Sequence, residues 1–394
     1  MKNYCWSKGL LTLLLVWLSI HANFAQKYTS LAEALKHVNE VKILDLRKKN
    51  IQDFPREILL FKNLQRLDLS HNQLKVIPGE IAQLKQLQWL ELGYNQLVAI
   101  PPQIGQLPQL KLLDVRKNRL KTVPAEVGNL RNLSDLHLSQ NQLAKLPASL
   151  GKLTQLWVLK AEQNQLTSLP PEIGKMEQLM ILWLNNNQLT KLPQEIGNLK
   201  VLTELRLYQN KLEALPKTLG QLQSLKKLSL SANQLTTLPQ ELGNLTRLTR
   251  LALVRNKLTT IPATLGNLTN LQVLTLDNNQ LSSLPNTLGK LANLRNLDVS
   301  KNRLTSFIKN TKGLQQLKRL DLRGNQLKKL PQEIGELGKL EVLHLQDNQL
   351  TALPASIKQL SSLSKLRLQK NPVSKETITK IKTWVPQGCY VKAD

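Results

Sequence analysis

Apolar residues recur along this chain with a period of 23, without a gap from Val41 to Ser362, and a further copy opens at Leu363 before the pattern changes. In the copy 179–201, LMILWLNNNQLTKLPQEIGNLKV, Leu182 and Leu184 alternate with polar or outward positions, which predicts a short strand with one buried face. Asn187 stands where that strand must turn, and an Asn repeated in register supplies hydrogen bonds to backbone groups of adjacent coils. Leu189, Leu192, Ile196 and Leu199 complete the core; Pro193 favours an extended return and denies it a regular helix, and Gly197 allows close backbone packing. One such unit cannot bury its own apolar face, so the pattern predicts a solenoid whose coils stack on one another. Strands stacked about 4.8 Å apart make one parallel sheet on the concave side, and fifteen of them span an arc of roughly 70 Å.

The unit LxxLxLxxNxL followed by LPxxIGxL resembles the leucine-rich repeat family, and the 23-residue LPxEIG form is similar to bacterial repeats related to the Ras-group-binding and plant intracellular types. That resemblance covers nearly the whole chain after residue 40. It implies a right-handed α/β horseshoe with about 15 short parallel strands, an irregular or 3-10 convex side and protein binding as the general role. Family members that are enzymes carry their chemistry in an appended domain, and none fits here, so no catalysis and no cofactor are expected. Two positions depart from the pattern: Lys49 replaces the Asn in the first coil, and Ile308, within SFIKNTKGL, replaces the Pro in the twelfth.

The ends read differently. In residues 1–25, Lys2 and Lys8 flank an N-terminal region, and Leu10 to Ile20 is an apolar run too short to span a bilayer. HANFAQ offers cleavage after Ala25 or Ala22, so the segment reads as a secretory signal peptide and the chain as exported to a periplasm, envelope or medium. Its removal would take Cys5 and leave Cys389 as the only thiol, expected to be a structural thiol of the end cap. Residues 26–40 predict a capping helix, with Ser30 and Glu33 as a capping box and Leu31, Leu35 and Val38 on one face. Residues 41–362 are the fourteen regular coils. In 363–394, Ile378, Ile381, Trp384 and Val385 predict a closing helix stopped by Pro386.

Composition changes the picture in one respect. The formal net charge is +27, which attracts anionic partners or surfaces at long range. Basic residues gather in coil four, with Arg116, Lys117 and Arg119, and in coils twelve and thirteen, with Arg303, Arg319 and Arg323. Coils five to eight are nearly neutral, and there the column of outward strand residues is cationic and aromatic: His137, Lys160, Trp183, Arg206. Glu162, Glu204 and Tyr208 stand in neighbouring columns. Arg beside exposed aromatics is the composition of interface anchors.

The expected function is therefore non-enzymatic protein binding by a monomer, steered by the basic flanks and docked on this central group. Trp157 reads equally as sheet-edge packing. The acidic run Asp45, Asp68, Glu91, Asp114 reads as charge balance with Arg47, Arg66 and Arg116 rather than as a metal site. His71, His137 and His344 lie three or more coils apart, too far for a shared metal. Two other readings stay open: an electrostatic binder of anionic polymers or envelope glycans, such as lipopolysaccharide or nucleic acid, and a structural envelope component with no specific ligand.

Overall fold

A computed structural model describes residues 26–394, so the segment 1–25, read from the sequence as a signal peptide, lies outside the described residues. Within them one parallel sheet runs from Lys27–Tyr28 to Tyr390–Lys392, each strand pairing with the next along the chain. Between the regular coils the register advances by one repeat per strand, as in Leu182↔Leu205 and Trp183↔Arg206. Residues 23 apart therefore stand in straight columns across the sheet. Leu179, Leu182, Leu184, Leu189, Ile196 and Leu199 are fully buried, as are their counterparts in nearly every coil, and they form one continuous core.

The Asn column closes each strand. The side-chain amide of Asn187 donates to the carbonyls of Ala161 and Leu184, both at 3.0 Å, and its oxygen accepts from the Leu166 amide at 2.9 Å. One side chain thus pairs three backbone groups that would otherwise be buried without partners. The residue before it is left-handed in coil after coil, including Tyr94 (φ 57°), Ala232 (φ 54°) and Gly324 (φ 64°). The first coil lacks its own Asn but is served by the next one, since the Lys49 amide donates to Asn72 Oδ1 at 2.9 Å.

After Pro193, which holds an extended backbone, the return makes a 3-10 turn over Gln194–Asn198. A Cβ on Gly197 would collide with the Thr218 carbonyl oxygen of the next coil, so glycine is required by close approach rather than by its own dihedral. The twelfth coil has no such turn. There Phe307 and Ile308 fold inward to 3% exposure, and buried Thr311 sets its hydroxyl 2.6 Å from the Glu333 carbonyl and 2.7 Å from Glu336 Oε2.

The sheet has seventeen strands where about 15 were expected, because each cap adds one. At the start, the expected single helix over 26–40 is a strand Lys27–Tyr28, one α-turn Leu31–Ala34 and a 3-10 turn Leu35–His37. Ser30 Oγ accepts from the Glu33 amide at 3.4 Å, but the Glu33 carboxylate turns to Lys36 instead, so half of the capping box forms. At the far end the helix Lys375–Trp384 buries Ile381, and the strand Tyr390–Lys392 follows it. Cys389 is half-buried against the end of the core, and burial raises its thiol pKa. No helix among the described residues is long and apolar enough to cross a membrane.

Candidate binding surface on the concave sheet

The parallel register places Lys160, Trp183 and Arg206 directly beside one another on three consecutive strands. Alternation turns all three away from the leucine core, and they stack. Lys160 Nζ lies 4.5 Å from the Trp183 ring centre and the Arg206 guanidinium 3.9 Å from it. A half-buried indole covered by two cations is a cation–π sandwich.

Glu204 anchors this sandwich. Its carboxylate accepts from Trp183 Nε1 at 3.2 Å and from Arg206 Nε at 2.6 Å, and it pairs with Lys227 at 3.1 Å. Burial works to raise the Glu204 pKa, but the bonds from Lys227 and Arg206 outweigh it and hold the pKa below its ordinary value. The result is an aromatic and cationic centre whose negative charge is already paired.

The other expected residues sit around this centre without joining the stack. His137 is one strand further along the same column, with Nδ1 3.6 Å from Asp114 Oδ2. Glu162 is half-buried and its Oε2 has no hydrogen-bond partner among the described residues. Tyr208 is half-buried just past the strand, and among the described residues no other ring stacks on it. Trp157 and Trp89 are likewise half-buried.

The six basic flank residues do not form one surface. Arg116, Arg319 and Arg323 lie on the concave face, where Arg116 pairs with Asp114 at 2.8 Å and Arg323 approaches Asp321 at 3.4 Å. Lys117, Arg119 and Arg303 instead lie on the lateral rim that the chain follows as it leaves each strand.

The acidic run is met by cations throughout. Asp45 pairs with Lys27 and Arg47, each at 2.7 Å, and Glu91 with Arg66 at 2.6 Å. Burial lifts the Glu91 pKa all the same, aided by the neighbouring Asp68 and Asp114 charges, whereas Asp45 is lowered to about 2.

Sequence reasoning missed two features here. Lys227 completes the Glu204 anchor from the next strand, and no residue-type signal marks it among the outward strand positions. At the N-terminal end, an open hollow of about 520 Å³ is lined by Arg47, Lys48, Asp68, His71, Glu91 and Arg116 among others. On its rim His71 stacks on Tyr94 at 4.0 Å, and Lys117 covers Tyr94 at 4.6 Å. The left-handed column that aligns these three side chains has no residue-type signature.

Comparison with known proteins places this geometry in context. Overlapping matches to a family model described as a leucine-rich repeat region cover residues 98–187, 135–211, 171–275, 205–309 and 305–383, and a leucine rich repeat model matches 39–97. A leucine-rich repeat protein of Leptospira interrogans is 38% identical with a TM-score of 0.76, over 93% of this chain and 99% of that one. The plant peptide hormone receptor RGFR1, solved in complex with RGF2, is 33% identical with a TM-score of 0.73, over 83% of this chain and 54% of that one. An internalin of Listeria monocytogenes shares the fold at 23% identity and a TM-score of 0.63, over 91% of this chain and 88% of that one. No curated protein sequence matches the chain. By its repeats, its sheet and these likenesses, the chain belongs to the leucine-rich repeat family.

Proposed function

We propose that this protein is an exported, non-enzymatic binding module that holds a protein partner on the middle of its concave sheet. Leucine-rich repeat folds are typically protein-interaction modules, and the plant peptide hormone receptor similar to this chain is solved in complex with RGF2. The observation that carries the reading is the Lys160–Trp183–Arg206 stack, held by Glu204. Pre-ordered aromatic and arginine side chains lose little entropy on docking and are the residue types that dominate interface energies. His137, Glu162 and Tyr208 border the stack and supply polar rim contacts. Export is read from the signal-like segment 1–25.

The test is a capture experiment from envelope and host-type extracts in about 0.3 M salt, which shortens the screening length to well under 10 Å and suppresses non-specific attraction. A protein retained by the wild type and lost by Trp183→Ala/Tyr208→Ala supports the site. Equal retention by the variant overturns it.

A further inference from the structure

The net positive charge is not spread evenly around the coil. On the concave face the ion pairs of Asp45, Glu91, Asp114, Glu204 and Asp321 neutralise the cations beside them, the last of these being Arg323. On the convex crest, acidic residues such as Glu57, Glu80, Glu126 and Glu172 open many of the 3-10 turns. The excess lies on the two lateral rims.

These rims differ in what their cations do. On the rim where the chain returns to the sheet, several cap the turns: Lys85 donates to the Gln106 carbonyl, Arg131 to Lys152 and Lys200 to Gly197, at 3.1, 3.0 and 2.8 Å. On the rim where the chain leaves the sheet, among the described residues no lysine or arginine side chain donates to a backbone carbonyl, and only Lys370 is salt-bridged, to Asp347 at 3.3 Å. Fifteen lysines and arginines in the four columns flanking the Asn stand there against three carboxylates, Asp53, Glu213 and Asp347.

No two neighbouring coils both lack such a cation, so charges follow one another along the arc at steps of about 5 or 10 Å. The positions between them are mostly Gln, Thr and Ser, among them Gln142, Gln165, Thr167 and Ser168. Lys211 and Lys257 donate to the side chains of Gln188 and Gln234, and Lys117 lies over Tyr94, but these partners are neutral. Cations without anionic partners repel one another, and a bound polyanion relieves that repulsion.

We infer that this strand-exit rim binds a linear anionic polysaccharide, with Lys and Arg meeting its sulfate or carboxylate groups and the intervening amides and hydroxyls meeting its sugar hydroxyls. Nucleic acid fits less well. Single strands are gripped by aromatic platforms, and the rings on this rim, His71 and Tyr94, are stacked on each other with Lys117 over the second. The inference concerns a different face and ligand from the concave protein site.

The test measures binding of the full chain to dextran sulfate across a salt series, with neutral dextran and oligo(dT) of matched charge as competitors. One variant neutralises the strand-exit rim (K117Q, R119Q, K121Q, R303Q, K328Q, K329Q). A second removes the same charge from the return rim (K62Q, K152Q, K175Q, K226Q, R247Q, K290Q), and both are first shown to melt as the wild type does.

The exit-rim variant is expected to lose about tenfold or more in affinity near 0.15 M salt, with a shallower salt slope, because each lost contact removes released counterions. The return-rim variant and Trp183→Ala are expected to stay within about threefold of wild type, since neither removes an exit-rim counterion contact. Equal loss in the two rim variants, competition by oligo(dT) as strong as by dextran sulfate, or no binding of the wild type to dextran sulfate would each overturn the inference.

Discussion

The guanidinium of Arg206 lies 3.9 Å over the ring of Trp183 while its Nε donates at 2.6 Å to Glu204, which also accepts from the indole nitrogen. Arginine, tryptophan and carboxylate therefore act as one unit. Glu204 stays ionised in a half-buried place because Lys227 and Arg206 offset its burial. In Arg206→Leu/Lys227→Leu burial is opposed only by the neutral hydrogen bond from the Trp183 indole, and the Glu204 carboxyl is expected to titrate above the ordinary glutamate value instead of below it. Side-chain carboxyl NMR of the double variant against wild type reads the reversal. An unchanged titration would mean that the two cations do not set the charge of the anchor.

Asn187 bonds two carbonyls and one amide in the interior of the stack, whereas Asn371 makes the same contacts from the half-exposed last coil. Asn187→Ala leaves buried groups unpaired and is expected to cost about 3 kcal/mol or more, since each such group costs roughly 1–3 kcal/mol. Water reaches the end of the solenoid, so Asn371→Ala is expected to cost about 1 kcal/mol, near the net worth of one hydrogen bond. Urea unfolding of both variants makes the comparison. Because coils contact only their neighbours, the central change is also expected to broaden the transition by uncoupling the two halves.

Much of this architecture was legible in the chain, for reasons particular residues make plain. Leu182 and Leu184 announce the strand, Asn187 the turn and Pro193 the return, because each type is chosen by burial, hydrogen bonding or a fixed dihedral. Lys160, Trp183 and Arg206 could be placed in adjacent rows because the register never slips. Glu204's role depends on side-chain reach between columns, which periodicity does not encode, and Lys227 was overlooked for that reason. The left-handed column was invisible as well: Lys117, Ala232 and Arg255 have no shared chemistry, and the inter-coil ladder imposes the conformation on whatever residue stands there.

That imposed conformation makes a pair of opposite predictions. Ala232 holds φ 54° at a cost that glycine avoids, while Gly324 holds φ 64° at the equivalent place. The left-handed region costs an L-residue about 1 kcal/mol or more, partly offset by the greater freedom that glycine loses on folding. Ala232→Gly is expected to stabilise the chain by about 0.5 kcal/mol and Gly324→Ala to destabilise it by about as much, once that offset is counted. Thermal unfolding of both substitutions in one buffer reads the two signs, and equal signs would show that something other than the dihedral dominates.

Close approach makes a second glycine pair. A methyl on Gly197 meets the backbone of Thr218 in the next coil, which has no room to give, whereas nothing lies within 4 Å of one on Gly338. Overpacking of this kind costs about 1–3 kcal/mol, so Gly197→Ala is expected to fall in that range. Gly338→Ala is expected to stay within about 0.5 kcal/mol of wild type, as surface substitutions do. Urea midpoints distinguish them directly.

Asp45 is expected to set the acid limit of the N-terminal cap. Burial alone would raise its carboxyl, but hydrogen bonds from Arg47 and Lys27 bring it from 3.8 down to about 2. A carboxyl lowered on folding stabilises the native state above its unfolded pKa, and that contribution fades as pH falls through the folded value. The loss is therefore expected between about pH 4 and pH 2, and Asp45→Asn removes this part of the pH dependence. Lys27 ties the strand Lys27–Tyr28 to the sheet through the same carboxylate, so the first coil is expected to fray before the centre in acid. Hydrogen exchange of the Leu46 and Gln73 amides, compared with Leu184 over that range, follows the fraying. If protection were lost evenly along the solenoid, Asp45 would not be the group that limits it.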